Sequence, residues 1–271
     1  MSAPVVKHTL LVDADIVAFK FASKAQRTTP FGAAVDDLDT VTPKVDAWLA
    51  ELKDSLKATD LIICLSCPSE EGWRMQVLPT YKGNRKDTVR PVHLGPLKDY
   101  MEHAYPSYRK PTLEADDIMG ILSTHPTLVP GRKTIVSEDK DMKTIPGWLY
   151  NPAKDSKPHL ISEAAADEYH AYQALIGDAT DHYKGCPGCG PVKAHAVLAH
   201  AVLADLPLWP VIVDVYLAKG LTEEDALVQA RVARISRATD YDFKKKTTIL
   251  WTPASYPLSP ALPACTAATT S

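Results

Sequence analysis

Three short runs constrain the fold more than anything else in the chain. HTLLVDA (residues 8–14), DLIICLS (60–66) and KTIVSED (133–139) are dense in leucine and β-branched residues, with no regular polar alternation. Strands of that kind are buried on both faces, as in a parallel sheet. Between them lie stretches of helical period. In PKVDAWLAELKDSLKA (43–58), Val45, Trp48, Leu49, Leu52 and Leu56 share one face behind an N-terminal proline. LGPLKDYMEHA (94–104) and EADDIMGILST (114–124) also read as helices. Alternation of this type predicts an α/β fold, a mainly parallel central sheet flanked by helices. Ligands then sit at the carboxyl ends of the strands.

From about residue 162 the pattern turns helical. SEAAADEYHAYQALIG (162–177), PVKAHAVLAHAVL (191–203) and LWPVIVDVYLAKG (208–220) follow one another. TEEDALVQARVARISR (222–237) then opens on a capping-box-like Thr222 and Asp225. The expected organisation is an α/β unit over residues 1–160, a helical subdomain over 161–253, and a disordered Pro/Ala/Thr/Ser-rich tail over 254–271. No apolar run reaches membrane-spanning length and the N-terminus lacks a signal-peptide pattern, so a cytoplasmic protein is expected. Five cysteines argue against a disulfide framework, and the Cys64/Cys67 and Cys186/Cys189 pairs stand too far apart for a zinc ribbon.

The acids fall in four clusters: Asp13 and Asp15, then Glu114, Asp116 and Asp117, then Asp139 and Asp141, then Asp178 and Asp181. Surface charge scatters, whereas three of these four clusters directly follow or open an apolar run. If they converge, divalent cations are what hold them together at neutral pH, and oxygen-only donors suit Mg²⁺ or Mn²⁺. The chemistry implied is phosphate chemistry with two metals. Each cluster also has a plainer reading: Asp13 as a turn cap, or Glu114 to Asp117 as acids favoured in a helix's first turn. The nine acids outweigh the formal net charge of −3, so the remainder of the chain is net positive and nucleic acid is not excluded.

Basic residues cluster in YKGNRKDTVRP, where Tyr81, Lys82, Arg85, Lys86 and Arg90 suit close approach to a phosphate backbone, with Tyr81 stacking on a base. After the fourth acidic cluster, KGCPGCGPVKA places Gly185, Gly188 and Gly190 before a helix, flanked by Lys184 and Lys193. Backbone N–H groups of such a turn can face a phosphate, which gives sequence-independent contact.

LLVDAD, LPTYKGNRKD, LEADDIMG, SEDKDMKTIPG and LIGDATDHYKGCPGCGPVKA stand in the order found in the 5′→3′ exonuclease and flap endonuclease family. The chain resembles most the stand-alone exonucleases of lytic tailed phages, over residues 8–253. The resemblance implies a PIN-like 5′ nuclease core, a helix–hairpin–helix in the C-terminal part, and Mg²⁺-dependent hydrolysis of DNA or RNA from 5′ ends. It implies a first metal region of Asp13, Glu114, Asp116 and Asp117 and a second of Asp139, Asp141, Asp178 and Asp181. Lys82 matches the lysine that reaches the scissile phosphate, Arg85 the neighbouring basic position, and the glycine hairpin a duplex grip that uses K⁺. The implied partner is double-stranded DNA with 5′ ends, with RNA–DNA hybrids a further substrate, for a monomer in the cytoplasm of a phage host. One departure stands out: Cys67 in LSCPSEEGWR occupies the place of a family aspartate, with Glu70 and Glu71 as nearby substitutes. Two rival functions remain at this stage. Haloacid-dehalogenase-type phosphatases also open on a strand and DxDxV, and a DNA-end-binding protein with a decayed metal site would keep the basic motifs.

Overall fold

The structure is a computed structural model, and it describes residues 7–29, 32–85 and 88–253. In chain order come β1 (His8–Asp13), α1 (Ala14–Ala25), the hairpin β2 (Gln26–Thr29) and β3 (Gly32–Val35), α2 (Leu38–Ser55), β4 (Asp60–Leu65), the single turn α3 (Arg74–Val77), α4 (Leu94–Ala104), β5 (Ser107–Arg109), α5 (Ala115–Thr124), β6 (Arg132–Val136), β7 (Gly147–Tyr150) and β8 (His159–Ile161). Four helices follow, α6 (Glu163–Ile176), α7 (Pro191–Leu203), α8 (Leu208–Leu217) and α9 (Glu223–Ala233), and a short pair β9 (Tyr241–Asp242) and β10 (Thr247–Thr248).

The six-stranded sheet has the order β5-β4-β1-β6-β7-β8. Every neighbouring pair is parallel except β7 with the edge strand β8. All of β1 is buried. Successive side chains of a strand point to opposite faces. Leu10 and Val12 accordingly join a core with α1, α2 and α4, whereas Leu11 joins a second core with Ile118, Met119 and Leu122 of α5. The doubly buried strands read from the sequence are therefore doubly covered. A third core, built on α6 to α9, encloses Cys186, Cys189, Leu198, Trp209 and Tyr216. Among the described residues no helix is long and apolar enough to cross a membrane.

One sequence expectation needs adjustment. The helix expected to start at Pro43 begins five residues earlier, and Pro43 lies inside it. Pro43 and Asp39 are both exposed, so the carbonyl that loses its N–H partner at Pro43 is open to water. The expected tail, 254–271, lies outside the described residues, as does Lys86.

Candidate active site

The acids meet at the carboxyl ends of β1 and β6 and the N-terminus of α5. Asp13 ends β1 and caps α1, accepting the Ile16 N–H at 3.2 Å. Its second oxygen accepts the Ser137 hydroxyl at 2.8 Å. Burial and the Asp15 charge push its pKa up to about 7. Asp116, in the first turn of α5, is pushed well above the carboxylate range by burial and by Asp13 and Asp139. Asp139 caps the 3-10 turn Lys140–Thr144 and is raised by burial. Asp141 sits at about 7, through burial and the Asp139 charge, and takes a 2.6 Å hydrogen bond from the Gln173 amide on α6. Desolvation and neighbouring acids thus raise the pKa of four carboxylates, Asp13 buried and the other three partly exposed.

A second set is neutralised by the protein's own cations. Glu114 receives Lys82 Nζ at 2.5 Å, Arg74 at 3.0 Å and the Tyr81 hydroxyl at 3.1 Å. Asp181 receives the Tyr81 hydroxyl at 2.9 Å and pairs with Arg85, with Lys82 Nζ at 3.8 Å. Asp178 pairs with Lys140, which holds it below its ordinary pKa although burial pushes the other way. Burial likewise opposes the charge of Lys82, yet Glu114 and Asp181 keep its pKa raised. Asp15 is occupied by Lys98 at 2.9 Å.

The loops carrying these groups are pinned together. Lys82 and His182 both have positive φ, 52° and 58°. The Lys82 N–H donates to the Asp181 carbonyl, the Asn84 amide to that of Ala179, and His182 Nδ1 lies 3.0 Å from the Thr80 carbonyl. Left-handed backbone at non-glycine residues costs on the order of 1–3 kcal/mol and persists where the surroundings impose it. The lysine is thereby held with its ammonium among the acids.

Three expectations are corrected. Asp117 turns away from the metal region: it is fully buried, and its two oxygens accept five donors. Arg74 supplies a two-pronged bond at 2.8 Å on each oxygen, and Trp73 Nε1 and the N–H groups of Ser236 and Glu114 complete the set at 3.0, 3.0 and 3.2 Å. No lone pair is left to face a cation. Tyr81 is 4% exposed, packed with Tyr183, Val232 and Ala233, so its ring cannot stack on a base; its hydroxyl braces Glu114 and Asp181 instead. Gly185 does not present its N–H to a phosphate. It is buried against Gly177, where a Cβ would stand 2.3 Å from the Gly177 nitrogen, and its own N–H donates to Gln229. Gly188 (φ +69°) and Gly190, the N-cap of α7, are exposed, as is Lys193. Arg85 is half-exposed and Arg90 exposed.

Cys67 is 6% exposed, and burial together with Glu114 pushes its thiol up to about 11. A thiol is a poor partner for a hard cation such as Mg²⁺. Glu70 and Glu71 are exposed on one 3-10 turn beside it. Sequence reasoning missed Arg74, Lys140 and Gln173. Lys140 was visible between two aspartates, and Gln173 is the polar member of the α6 face made by Ala166 and His170. Arg74 gave only the signal of a cation beside a tryptophan.

As they stand, no three His, Cys, Asp or Glu among the described residues are spaced to hold a metal ion. The donor set nevertheless fits one. Asp13, Asp116, Asp139 and Asp141 are oxygen donors, desolvated and mutually repelling, and no lysine or arginine among the described residues pairs with Asp13, Asp116 or Asp139. Lys140 approaches Asp141 only to 3.8 Å. Hard divalent cations suit such groups.

Relatives share this arrangement of chain and fold. The family model described as 5′-3′ exonuclease, N-terminal resolvase-like domain, matches residues 8–149. The exodeoxyribonuclease of Enterobacteria phage T3 is 32% identical over 223 residues, 71% of this chain and 74% of the phage protein. The exonuclease of Escherichia phage T7 is 31% identical over 221 residues, 70% and 74% of the two chains. A bacteriophage T5 flap endonuclease, solved as a pseudo-enzyme–product complex with DNA and metal ions, superposes with a TM-score of 0.60 over 84% of this chain and 93% of that one. At 16% identity that likeness concerns the fold. With the family model spanning more than half the sequence and the phage exonucleases covering over two thirds of it, the chain belongs to the 5′-3′ exonuclease family.

Proposed function

We propose that this 5′→3′ exonuclease and flap endonuclease-like hydrolase cuts phosphodiester bonds at 5′ ends of duplex DNA, with Asp13, Asp116, Asp139 and Asp141 as its metal-binding core. The observation that carries the reading is the quartet of mutually repelling carboxylates, buried at Asp13 and partly exposed at the other three, gathered at the ends of β1 and β6 and the start of α5 and bordered by Lys82 and Arg85. Family membership removes the phosphatase alternative. When bound, two Mg²⁺ ions, replaceable by Mn²⁺, would supply an activated water and stabilise the leaving oxygen.

The chain's residues do the rest by charge exchange. Lys82 and Arg85 sit on Glu114 and Asp181 in the absence of substrate. An entering phosphodiester offers both cations an alternative partner, and Glu114 and Asp181, relieved of Lys82 and Arg85, would be available to help hold the cations, as would Asp178 if Lys140 turned away. Lys82 then offsets charge building on the phosphate. Asp117 keeps Arg74 in place under Glu114 and touches neither metal nor substrate. Gly188, Gly190 and Lys193 present backbone N–H groups and an ammonium to the duplex backbone, with K⁺ as a bridging ion, and Arg90 extends the basic path. Flaps and RNA–DNA hybrids are further substrates of the same geometry. The test is duplex DNA labelled at its 5′ ends. Release of labelled 5′ nucleotides on adding Mg²⁺, and none in EDTA, is expected; binding of ends with no product in Mg²⁺ or Mn²⁺ would assign the fold to a non-catalytic end binder.

A further inference from the structure

A cavity of about 720 Å³ lies at the opposite end of the sheet from the acids, between the start of β7 at Gly147, the end of α5 at Thr124, and helices α6, α8 and α9. Folded interiors rarely keep voids larger than a water molecule, and this volume is that of a ligand site. Its apolar wall is aromatic. Trp209 and Trp251 stand edge to face with centroids 5.4 Å apart, and His170 stands edge to face on Trp251 at 5.0 Å. Its charged wall is balanced, Arg234 and Arg237 against Glu163 and Asp167, with Asp167 2.7 Å from Arg237. The unpartnered Arg237 Nε leaves one donor for a carbonyl oxygen, and a wall without net charge favours an uncharged occupant.

The sequence supplies one at the mouth. Arg231 Nε holds the Trp251 carbonyl at 3.2 Å, and Pro253, the last described residue, lines the cavity. The next residues are ASYPLSPALP (254–263), and no Asp, Glu, Lys, Arg or His occurs between 254 and 271. Pro257, Pro260 and Pro263 recur every third residue, the period of a polyproline II helix, which places them on one face. Proline-rich segments of that spacing dock in aromatic-lined grooves because little conformational entropy remains to be lost. We propose that residues 254–263 are the occupant of this cavity, an intramolecular ligand that braces the α6–α9 unit against the base of the sheet.

The test uses the full chain and a fluorescein-labelled peptide of sequence ASYPLSPALP, read by anisotropy. A tethered segment competes at millimolar effective concentration, so the unaltered protein should not bind the peptide. A P257D/P260D variant, which vacates the cavity, should bind one equivalent. Adding Thr239→Arg, a charge at an exposed lining position, should weaken that binding at least tenfold. Nuclease rates should stay unchanged in all of them, since none of these residues lies in the acidic site, so a failed nuclease assignment leaves this test intact. Equal binding by unaltered and variant protein would give the cavity to an outside partner. No binding to either, or binding that survives Thr239→Arg, would overturn the proposal. So would a dimer of the unaltered protein that the proline substitutions dissociate, which would seat the segment of a second copy.

Discussion

Replacing Asp117 with alanine separates a structural carboxylate from a metal ligand one residue away. The side chain is fully buried, and Arg74, its main partner, is 3% exposed. Asp117→Ala leaves the Arg74 guanidinium with Glu114 as its one carboxylate partner and strands an indole N–H and the N–H groups of Ser236 and Glu114. Breaking a buried ion pair costs about 3–5 kcal/mol; the retained Glu114 contact lowers that cost, and the stranded N–H groups, at about 1–3 kcal/mol each, restore it. At roughly 2–4 °C per kcal/mol for a chain of this size, Tm should fall by about 6–20 °C. Asp116→Ala at the preceding position removes a group whose repulsion by Asp13, Asp139 and Glu114, together with its burial, outweighs its attraction to Lys82, so it should leave metal-free stability equal or higher. Urea unfolding in EDTA, followed by tryptophan fluorescence, measures both. If Asp117→Ala stays within about 1 kcal/mol of the parent while divalent-ion affinity drops, the ion-pair reasoning is wrong and Asp117 is a ligand after all.

Four further outcomes are expected. Asp116→Asn should abolish cleavage of end-labelled duplex while gel-shift affinity for the same duplex in EDTA is retained; residual cleavage near the parent rate would remove Asp116 from the core. Lys82→Ala should lower kcat by about 10²-fold or more with little change in KM, as for loss of one donor to developing charge, and a change in KM alone would make it a positioning contact. In EDTA, Asp13 and Asp141, both raised to about 7 from an ordinary 3.8, contribute stability that is present below about pH 4 and lost as pH rises through about 7. Asp117 and Asp178 are held low and act oppositely, losing their contribution as pH falls below 3.8. Metal-free Tm should therefore peak near pH 4, fall as pH rises to about 7 and level off above it, and Mg²⁺ should restore it. Gly185→Ala meets both a φ of +63° and the Gly177 backbone, so it should cost at least about 1–3 kcal/mol in urea unfolding.

How far the sequence could be read follows from the range of the interactions involved. The doubly buried strands were legible because burial on two faces leaves a local trace, an apolar run of five or six residues. The placing of Asp13 and Asp139 together was legible because neighbouring parallel strands end on the same side of the sheet, whereas Asp116 arrives from the N-terminus of α5. The division of labour among those acids left no local trace. Asp116 and Asp117 are chemically identical neighbours, and about 100° of helix rotation decides which one faces the cleft and which faces Arg74, forty-three residues away. Tyr81 failed for the same reason. An aromatic residue beside Lys82 reads as a stacking platform until Tyr183 and Val232, distant in sequence, cover its ring. The glycines of the hairpin divide likewise: Gly188 and Gly190 face solvent, but Gly185 is glycine because the backbone of Gly177 leaves no room for a Cβ. Composition and spacing thus identify the groups that chemistry needs. Which of them is spent on holding the others in place is set by contacts across the sheet and between units, and there a single turn of helix exchanges a ligand for a brace.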